Sequence, residues 1–341
     1  MSNSRTGILL VNLGTPDSAA TADVRKYLIE FLNDKRVIDI PAIQRKLLVN
    51  LIIAPTRAPK SAAQYKEVWT KEGSPLYIYG VKLKEKLQKH LGDNYIVDLA
   101  MRYQKPSLQK ALDKMAGNSG IEKLIVVPLY PHYASSSTGS TVEKVMELLG
   151  KKEVIPHTTI VGPFFNNPRY IEAFTKIVLK QNKISEYDHF LFSYHGLPER
   201  HIMKGSAQCG MNCQLGDCCN NLTSANYHCY RAECFETTRL LVKALNLKEG
   251  AYSSTFQSRL GRDPWVKPYT DKVIEELAKK GVKKILAFSP AFVADCLETL
   301  YEIRTEYNRM FQEHGGTHLH LAESLNDNDE WVEALGKIII N

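Results

Sequence analysis

The stretch GILLVNLG, Gly7–Gly14, decides the fold. Apolar residues follow one another without polar alternation and end at a glycine. Such a run reads as a strand covered on both faces, as in a parallel sheet. The same form recurs in YIVDLAMRY (Tyr95–Tyr103), EKLIVVPLYP (Glu122–Pro131), HTTIVGPF (His157–Phe164), HFLFSYHG (His189–Gly196) and KKILAFSPAF (Lys283–Phe292). Helical patterns lie between them, for example Val81–His90, Tyr170–Gln181 and Thr237–Leu245. This alternation predicts an α/β, doubly wound architecture.

An internal echo accompanies the pattern. ILLVNLG and FLFSYHG both end in a glycine loop, and GIEKLIVVPLYP and GVKKILAFSPAF share a glycine-to-proline frame. Two similar lobes joined near residue 165, spanning 5–165 and 166–341, would place one strand of each pair in each half; chance likeness between buried strands is the alternative. Ligands of open α/β sheets sit beyond the carboxyl ends of the strands. That points to Asn12–Thr15, Tyr130–Thr138, Tyr194–Pro198 and Pro290–Asp295.

With 341 residues, 44% of them apolar and 24% charged, the chain has the make-up of a globular protein of about two domains. The formal net charge of +7 comes without a dense Lys/Arg block or a base-reading motif, which argues against nucleic acid as partner. No apolar run approaches the roughly 18 residues of a membrane span. The first residues lack the pattern of a secretory leader. A cytoplasmic setting is therefore expected, where clustered cysteines are more often metal ligands or redox groups than disulfides. The segment Val37–Lys60, apolar with a few cations, reads either as a core helix or as an exposed apolar lip.

Two stretches carry candidate chemistry. His195 ends a strand just before a glycine, a place for a reactive group as well as for a structural histidine. In SPAFVADCLETLYEIRTEYNRM, a helix expected from near Val293 sets Asp295, Glu298, Glu302 and Glu306 on one stripe at about 100° per residue. Cys296, Leu300, Ile303, Tyr307 and Met310 form a second, core-facing stripe, which makes Cys296 a buried, inert cysteine. The acidic row is either a solvated face or a path for protons and divalent cations, and histidine with carboxylate suits iron or zinc. GTPDS after the first strand lacks the spacing of a dinucleotide loop or a P-loop, and there is no G-x-S-x-G turn.

VNLGTPDS, MRYQKPSL, PLYPHYASSSTGST, SYHGLPERH, FQSRLGRDPW and SPAFVADCLETLYEI occur in this order. Together they resemble the ferrochelatase family, from about Gly7 to the C-terminus. The resemblance implies two Rossmann-like lobes with a porphyrin cleft between them. It implies insertion of ferrous iron, a substrate, into protoporphyrin IX to form protohaem in the terminal step of haem biosynthesis. Coproporphyrin III as the porphyrin, or cobalt as the metal, are the alternatives. By the same resemblance His195 is the catalytic histidine and Glu298 its carboxylate partner at the iron, with Asp295 and Glu302 continuing the acidic path. Arg102, Tyr103, Tyr130, Trp265 and Phe292 line the porphyrin pocket. The segment 37–60 matches the family's lip, which meets the membrane in many members, so peripheral contact with the inner membrane is expected beside the cytoplasmic setting. The oligomeric state stays open.

SAQCGMNCQLGDCCNNLTSANYHCYRAEC, Ser206–Cys234, holds six of the seven cysteines. Cys209-x₃-Cys213 and the Cys218-Cys219 pair fit zinc spacing loosely, and C-x-x-C is absent. Spacing alone leaves zinc, an iron–sulfur cluster and no metal open. The resemblance favours a 2Fe–2S cluster, since some bacterial ferrochelatases hold one on internal cysteines at this place. Its ligands are then four of Cys209, Cys213, Cys218, Cys219, Cys229 and Cys234. Relative to cluster-free members of the family, about twenty residues, roughly Ser206–His228, look inserted; Cys213, Cys229 and one or both of Cys218 and Cys219 lead, being spread across this insertion, with Cys209 and Cys234 as spares.

Overall fold

A computed structural model describes residues 5–118, 120–211, 213–261 and 263–340; the reading of the first four residues lies outside the described ones. Among the described residues eight strands form two four-stranded sheets. β1 (Arg5–Gly14), β2 (Tyr95–Tyr103), β3 (Ile121–Pro128) and β4 (His157–Ile160) pair in the order β2-β1-β3-β4. β5 (His189–His195), β6 (Tyr252–Gln257), β7 (Lys284–Phe288) and β8 (His318–Leu321) pair in the order β6-β5-β7-β8. Every pairing is parallel. The second sheet repeats the first strand for strand, so the echo between β1 and β5, and between β3 and β7, is an echo of topology.

The repetition reaches the strand ends. Gly14 follows a φ of +122°, and a Cβ there would lie 2.1 Å from the Tyr103 carbonyl oxygen at the end of β2. A Cβ on Gly196, the residue after β5, would lie 2.7 Å from the Gln257 carbonyl oxygen at the end of β6. Both glycines are required because the chain leaves the sheet pressed against a neighbouring backbone. Gln104 and Ser258, the residues after β2 and β6, share a φ of 65°. Their strands are pinned alike, by Met101 N–H to the Pro106 carbonyl (2.7 Å) and Phe256 N–H to the Pro268 carbonyl (2.8 Å).

The helices follow from local signals. Pro75 and Pro168 open the helices Pro75–Leu91 and Pro168–Gln181, where a missing N–H costs nothing. Asn167 caps the latter by accepting from Arg169 N–H at 3.0 Å. In Leu108–Ala116, Leu108, Ala111, Leu112 and Met115 fall on one face and bury against Leu9, Val11, Leu124 and Val126 of the first sheet. Leu112 is fully buried, and its truncation to alanine would cost about 2–5 kcal/mol. On the second sheet Ile303, Tyr307 and Phe311 pack with Leu191, Ile285, Ala287 and Leu319.

The described chain divides into two compact units. One holds the residues up to Tyr130, Ala134–Gly162 and the chain from Asp327; the other holds Pro131–Tyr133 and Pro163–Asn326. The chain passes from the first unit to the second at Gly162/Pro163. The last helix, Asp329–Ile340, sits with the first unit, with Lys86 bonded to Asp327 and Asp329, whereas the sequence reading carried the second lobe to residue 341.

Two strands escaped the reading of apolar runs. β6, YSSTFQ, is rich in hydroxyls that find partners inside: Thr255 Oγ1 donates to the Phe192 carbonyl and Ser254 Oγ to Thr238. β8, HLHL, is a short edge strand whose histidines are exposed and whose leucines are buried. The helix expected from Val293 starts later. Residues 293–296 are non-helical and Glu298–Tyr307 winds as a π-helix. Its i→i+5 turns step less than 100° per residue, and Asp295 lies before the helix, so it does not share a helical stripe with Glu298 and Glu302.

Candidate active site and cysteine centre

His195 is the last residue of β5, at the carboxyl end of the second sheet. It lies opposite Gln257 on β6 and is half-buried. Three contacts define its place. Gly196 N–H donates to the Gln257 carbonyl at 2.8 Å. The Tyr230 hydroxyl donates to the His195 carbonyl at 2.7 Å. The Phe292 ring stands edge-on to the imidazole at 6.2 Å. Trp265 is buried, closes an isolated bridge with Pro198 and donates its indole N–H to the Leu260 carbonyl. Phe292 is thus beside the imidazole, while Trp265 buttresses the turn after it.

Gln257 joins this histidine to the acidic segment. Its buried carboxamide accepts from Ser193 Oγ at 2.7 Å and donates to the Glu298 carbonyl and to Glu302 Oε2, both at 3.0 Å. Glu302 also accepts from the Ser258 N–H (2.8 Å), the Ser258 hydroxyl and the Tyr307 hydroxyl (2.8 Å), so its charge is spread over four donors. Asp295 is sealed inside. Thr299 Oγ1, Ser324 Oγ and Asn326 Nδ2 donate to it at 2.9 Å, and its own N–H donates to Asn326 Oδ1. Burial raises its pKa against these donors. Cys296 is buried as expected; burial, with the Glu298 carboxylate beside it, pushes the thiol well up and keeps it inert. Glu298 is half-buried. Asp295 and Glu302 therefore brace the segment that presents Glu298.

In the first unit the expected pocket residues form a polar knot. The Arg102 guanidinium donates to Asp34 Oδ2 at 2.6 Å, and the Tyr103 and Ser140 hydroxyls donate to the same oxygen at 2.9 and 2.5 Å. Burial pushes the Asp34 carboxyl up, but bonds from Ser140, the Arg36 N–H and Tyr103, with the Arg102 charge, hold it below the usual range. Arg102 Nε donates to Ser140 Oγ at 2.8 Å. Tyr103 is fully buried, edge-on to Phe31 at 5.2 Å. Tyr130 is half-buried, its hydroxyl 3.4 Å from Thr141 Oγ1. No feature of NDKR marked Asp34 in the sequence, and Gln257 lay unnoticed within FQSRLGRDPW.

The segment 37–60 is not a core helix. It runs through Ala42–Leu47, a π-helical Leu48–Ile53 and the start of Ala54–Val68. Ile43 and Leu51 are 75% and 69% exposed, with Leu47 and Ile52 beside them. Arg45 turns inward to the carbonyls of Asn33 (2.8 Å) and Ile40 (2.7 Å), which anchors the segment while its apolar side chains stay out. π-turns are rare and mark functional places; here they fall in this lip, in Ser135–Gly139 and in Glu298–Tyr307.

Three of the six clustered cysteines come together. The sulfurs of Cys218 and Cys219 are 3.8 Å apart, and those of Cys219 and Cys229 are 4.0 Å apart. Cys213 is buried, its sulfur accepts from the Leu215 N–H at 3.4 Å, and burial raises its thiol. The contact between the two thiols raises Cys219 and lowers Cys229. Two thiolates on one tetrahedral metal at about 2.3 Å stand about 3.8 Å apart, close to these separations. Among the described residues no three or more His, Cys, Asp or Glu side chains converge on a single ion site. A two-iron cluster asks for two thiolates at each iron. Cys209 is exposed at a helix end, and Cys234 is buried within Tyr230–Ala244.

The chain matches the family model described as "Ferrochelatase" over residues 5–341. It is 45% identical over 336 residues to a ferrochelatase of Coxiella burnetii (strain Dugway 5J108-111), covering 98% of this chain and 93% of that one. It is 45% identical over 335 residues to a ferrochelatase of Legionella pneumophila (strain Paris), covering 98% of each. Among solved structures, one titled "SirB from Bacillus subtilis with Fe3+" superimposes with a TM-score of 0.53 at 11% identity, covering 99% of this chain and 96% of that one. That likeness speaks to the fold alone.

Proposed function

The chain belongs to the ferrochelatase family, and on that premise we propose that His195 and Glu298 handle the metal and the protons of the insertion step. The protein is a porphyrin metal chelatase, a lyase of haem biosynthesis. A free-base porphyrin gives up two pyrrole protons as it takes up a dehydrated ferrous ion. A half-buried imidazole at a strand end can accept such a proton at neutral pH. The Glu298 carboxylate can replace water on the ferrous ion before transfer. The observation that carries this reading is Gln257, which pairs with His195 through its backbone and bonds the Glu298 carbonyl through its side chain, so that one residue fixes both groups.

We propose protoporphyrin IX as the porphyrin. The exposed apolar lip suits a greasy substrate, and the charge of Arg102 is matched by Asp34, which favours the ring with fewer carboxylates. Anaerobic incubation with ferrous iron and either protoporphyrin IX or coproporphyrin III, read by haem absorption, tests this; faster insertion into coproporphyrin III would overturn it.

The lip further supports peripheral membrane contact, with Lys46 and Lys60 beside its apolar side chains. No helix among the described residues is long and apolar enough to cross a membrane.

Cys213, Cys218, Cys219 and Cys229 are the proposed ligands of a 2Fe–2S cluster. Bound there, the cluster would tie the insertion together and supply a redox-active iron centre. Iron, sulfide and visible absorption in purified protein, all lost in Cys219→Ser, are expected; protein without iron and sulfide would refute the cluster.

A further inference from the structure

We propose that Tyr230 is a positioning residue for His195, and that it hands the state of the cysteine centre to the insertion step; the second part rests on the cluster reading above. Tyr230 is the first residue of the helix Tyr230–Ala244, and its N-cap is Cys229. The side chain is buried, and its hydroxyl donates to the His195 carbonyl at 2.7 Å. One peptide bond thus separates a proposed metal ligand from the residue that holds the backbone of the histidine.

The rest of the helix ties the insertion to the same framework. Arg231 donates to the Gly216 carbonyl (3.0 Å) and the Lys267 carbonyl (3.2 Å), and Arg239 donates to the Asn220 carbonyl. On the inner side, Glu233 accepts from the Tyr133 N–H at 2.6 Å, and Thr237 Oγ1 lies 2.9 Å from His132 Nε2. The helix is therefore fixed from Arg231 onward by contacts that do not involve Cys229, while the start of its first turn, Tyr230, follows directly on Cys229. Helix ends fray first. Loss of metal from the cysteines frees Cys229, loosens this turn and weakens the hold of Tyr230 on His195. Small displacements of a reacting group lower kcat far more than binding.

Tyr230→Phe removes only the hydroxyl. In the metal-loaded protein we expect kcat for ferrous insertion to fall about tenfold, with the porphyrin KM and the visible spectrum of the cysteine centre unchanged. Thr238→Val serves as the packing control. It breaks a buried bond of the same helix, Tyr194 hydroxyl to Thr238 Oγ1 at 2.8 Å, without touching the His195 carbonyl. It should lose comparable thermal stability while keeping kcat. Amide hydrogen exchange reads the coupling. Chelating the metal from wild-type protein should speed exchange at residues 229–232 and at 194–197, whereas in Tyr230→Phe residues 194–197 should exchange fast with or without metal. Wild-type kcat in Tyr230→Phe, or an equal loss in Thr238→Val, overturns the positioning role. Exchange at 194–197 that responds to metal equally in both proteins overturns the coupling. Protein that purifies without iron and sulfide overturns the cluster reading and the coupling with it, and the kcat comparison still decides the positioning.

Discussion

The Gln257 carboxamide donates to the Glu298 carbonyl at 3.0 Å while its own backbone carbonyl receives the N–H that follows His195. Gln257→Leu keeps most of the volume and removes these carboxamide bonds. It leaves Glu302 short of a donor and Ser193 short of an acceptor. We predict a fall in kcat of about 10- to 100-fold at nearly unchanged porphyrin KM. Steady-state insertion kinetics check this, and a rise in KM at constant kcat would assign Gln257 to binding instead.

The Asp34–Arg102 pair is nearly removed from solvent, with side-chain exposures of 7% and 14%. Breaking one partner of a buried pair strands the other's charge. Asp34→Asn is expected to lower unfolding stability by about 3 kcal/mol in urea titration. A change under about 0.5 kcal/mol would place the pair with ordinary surface bridges.

Much of this architecture was legible in the sequence. Six strands announced themselves as apolar runs because parallel strands are covered on both faces, and β2 was read to the residue. The doubling of the lobes was visible in two glycine and proline frames, since close backbone approach at Gly14 and Gly196 needs those residues. β6 and β8 stayed hidden because hydroxyls and edge histidines break the pattern. The phase of the acidic segment was misjudged because a π-helix does not keep the α-helical step. Gln257, Asp34 and Tyr230 act through hydrogen bonds to distant parts of the chain, and nothing in their local sequence records those partners.

Two buried histidines set a pH dependence. Burial lowers the pKa of His132 to about 3, and burial with nearby Lys280 lowers that of His189 to about 4. In the unfolded chain both titrate near ~6.5. Below that pH the unfolded state takes up protons that the folded state refuses, so this stability is present above ~6.5 and is lost as pH falls toward the folded values. Each group contributes up to about 1.4 kcal/mol per pH unit in that window. Urea unfolding at about pH 7 and about pH 5.5 should show the drop, and His189→Gln should reduce it. Stability that rises on acidification through this window would contradict the assignment.

The lip makes its own prediction. Leu47 and Leu51 are exposed, and sinking each into an interface is worth about 1.5–3 kcal/mol. Leu47→Ser with Leu51→Ser should weaken binding to anionic vesicles by at least about tenfold while leaving thermal stability unchanged. Equal sedimentation of both proteins with vesicles would remove the lip from any membrane role.

The central claim is that His195 and Glu298 do the chemistry of insertion. It is tested most directly by anaerobic haem formation from ferrous iron and protoporphyrin IX in His195→Ala and Glu298→Gln, with porphyrin binding followed by fluorescence quenching in the same samples. The account predicts haem formation reduced by about 100-fold or more in each, with porphyrin affinity close to that of wild type. Insertion at wild-type rates by either variant would contradict it.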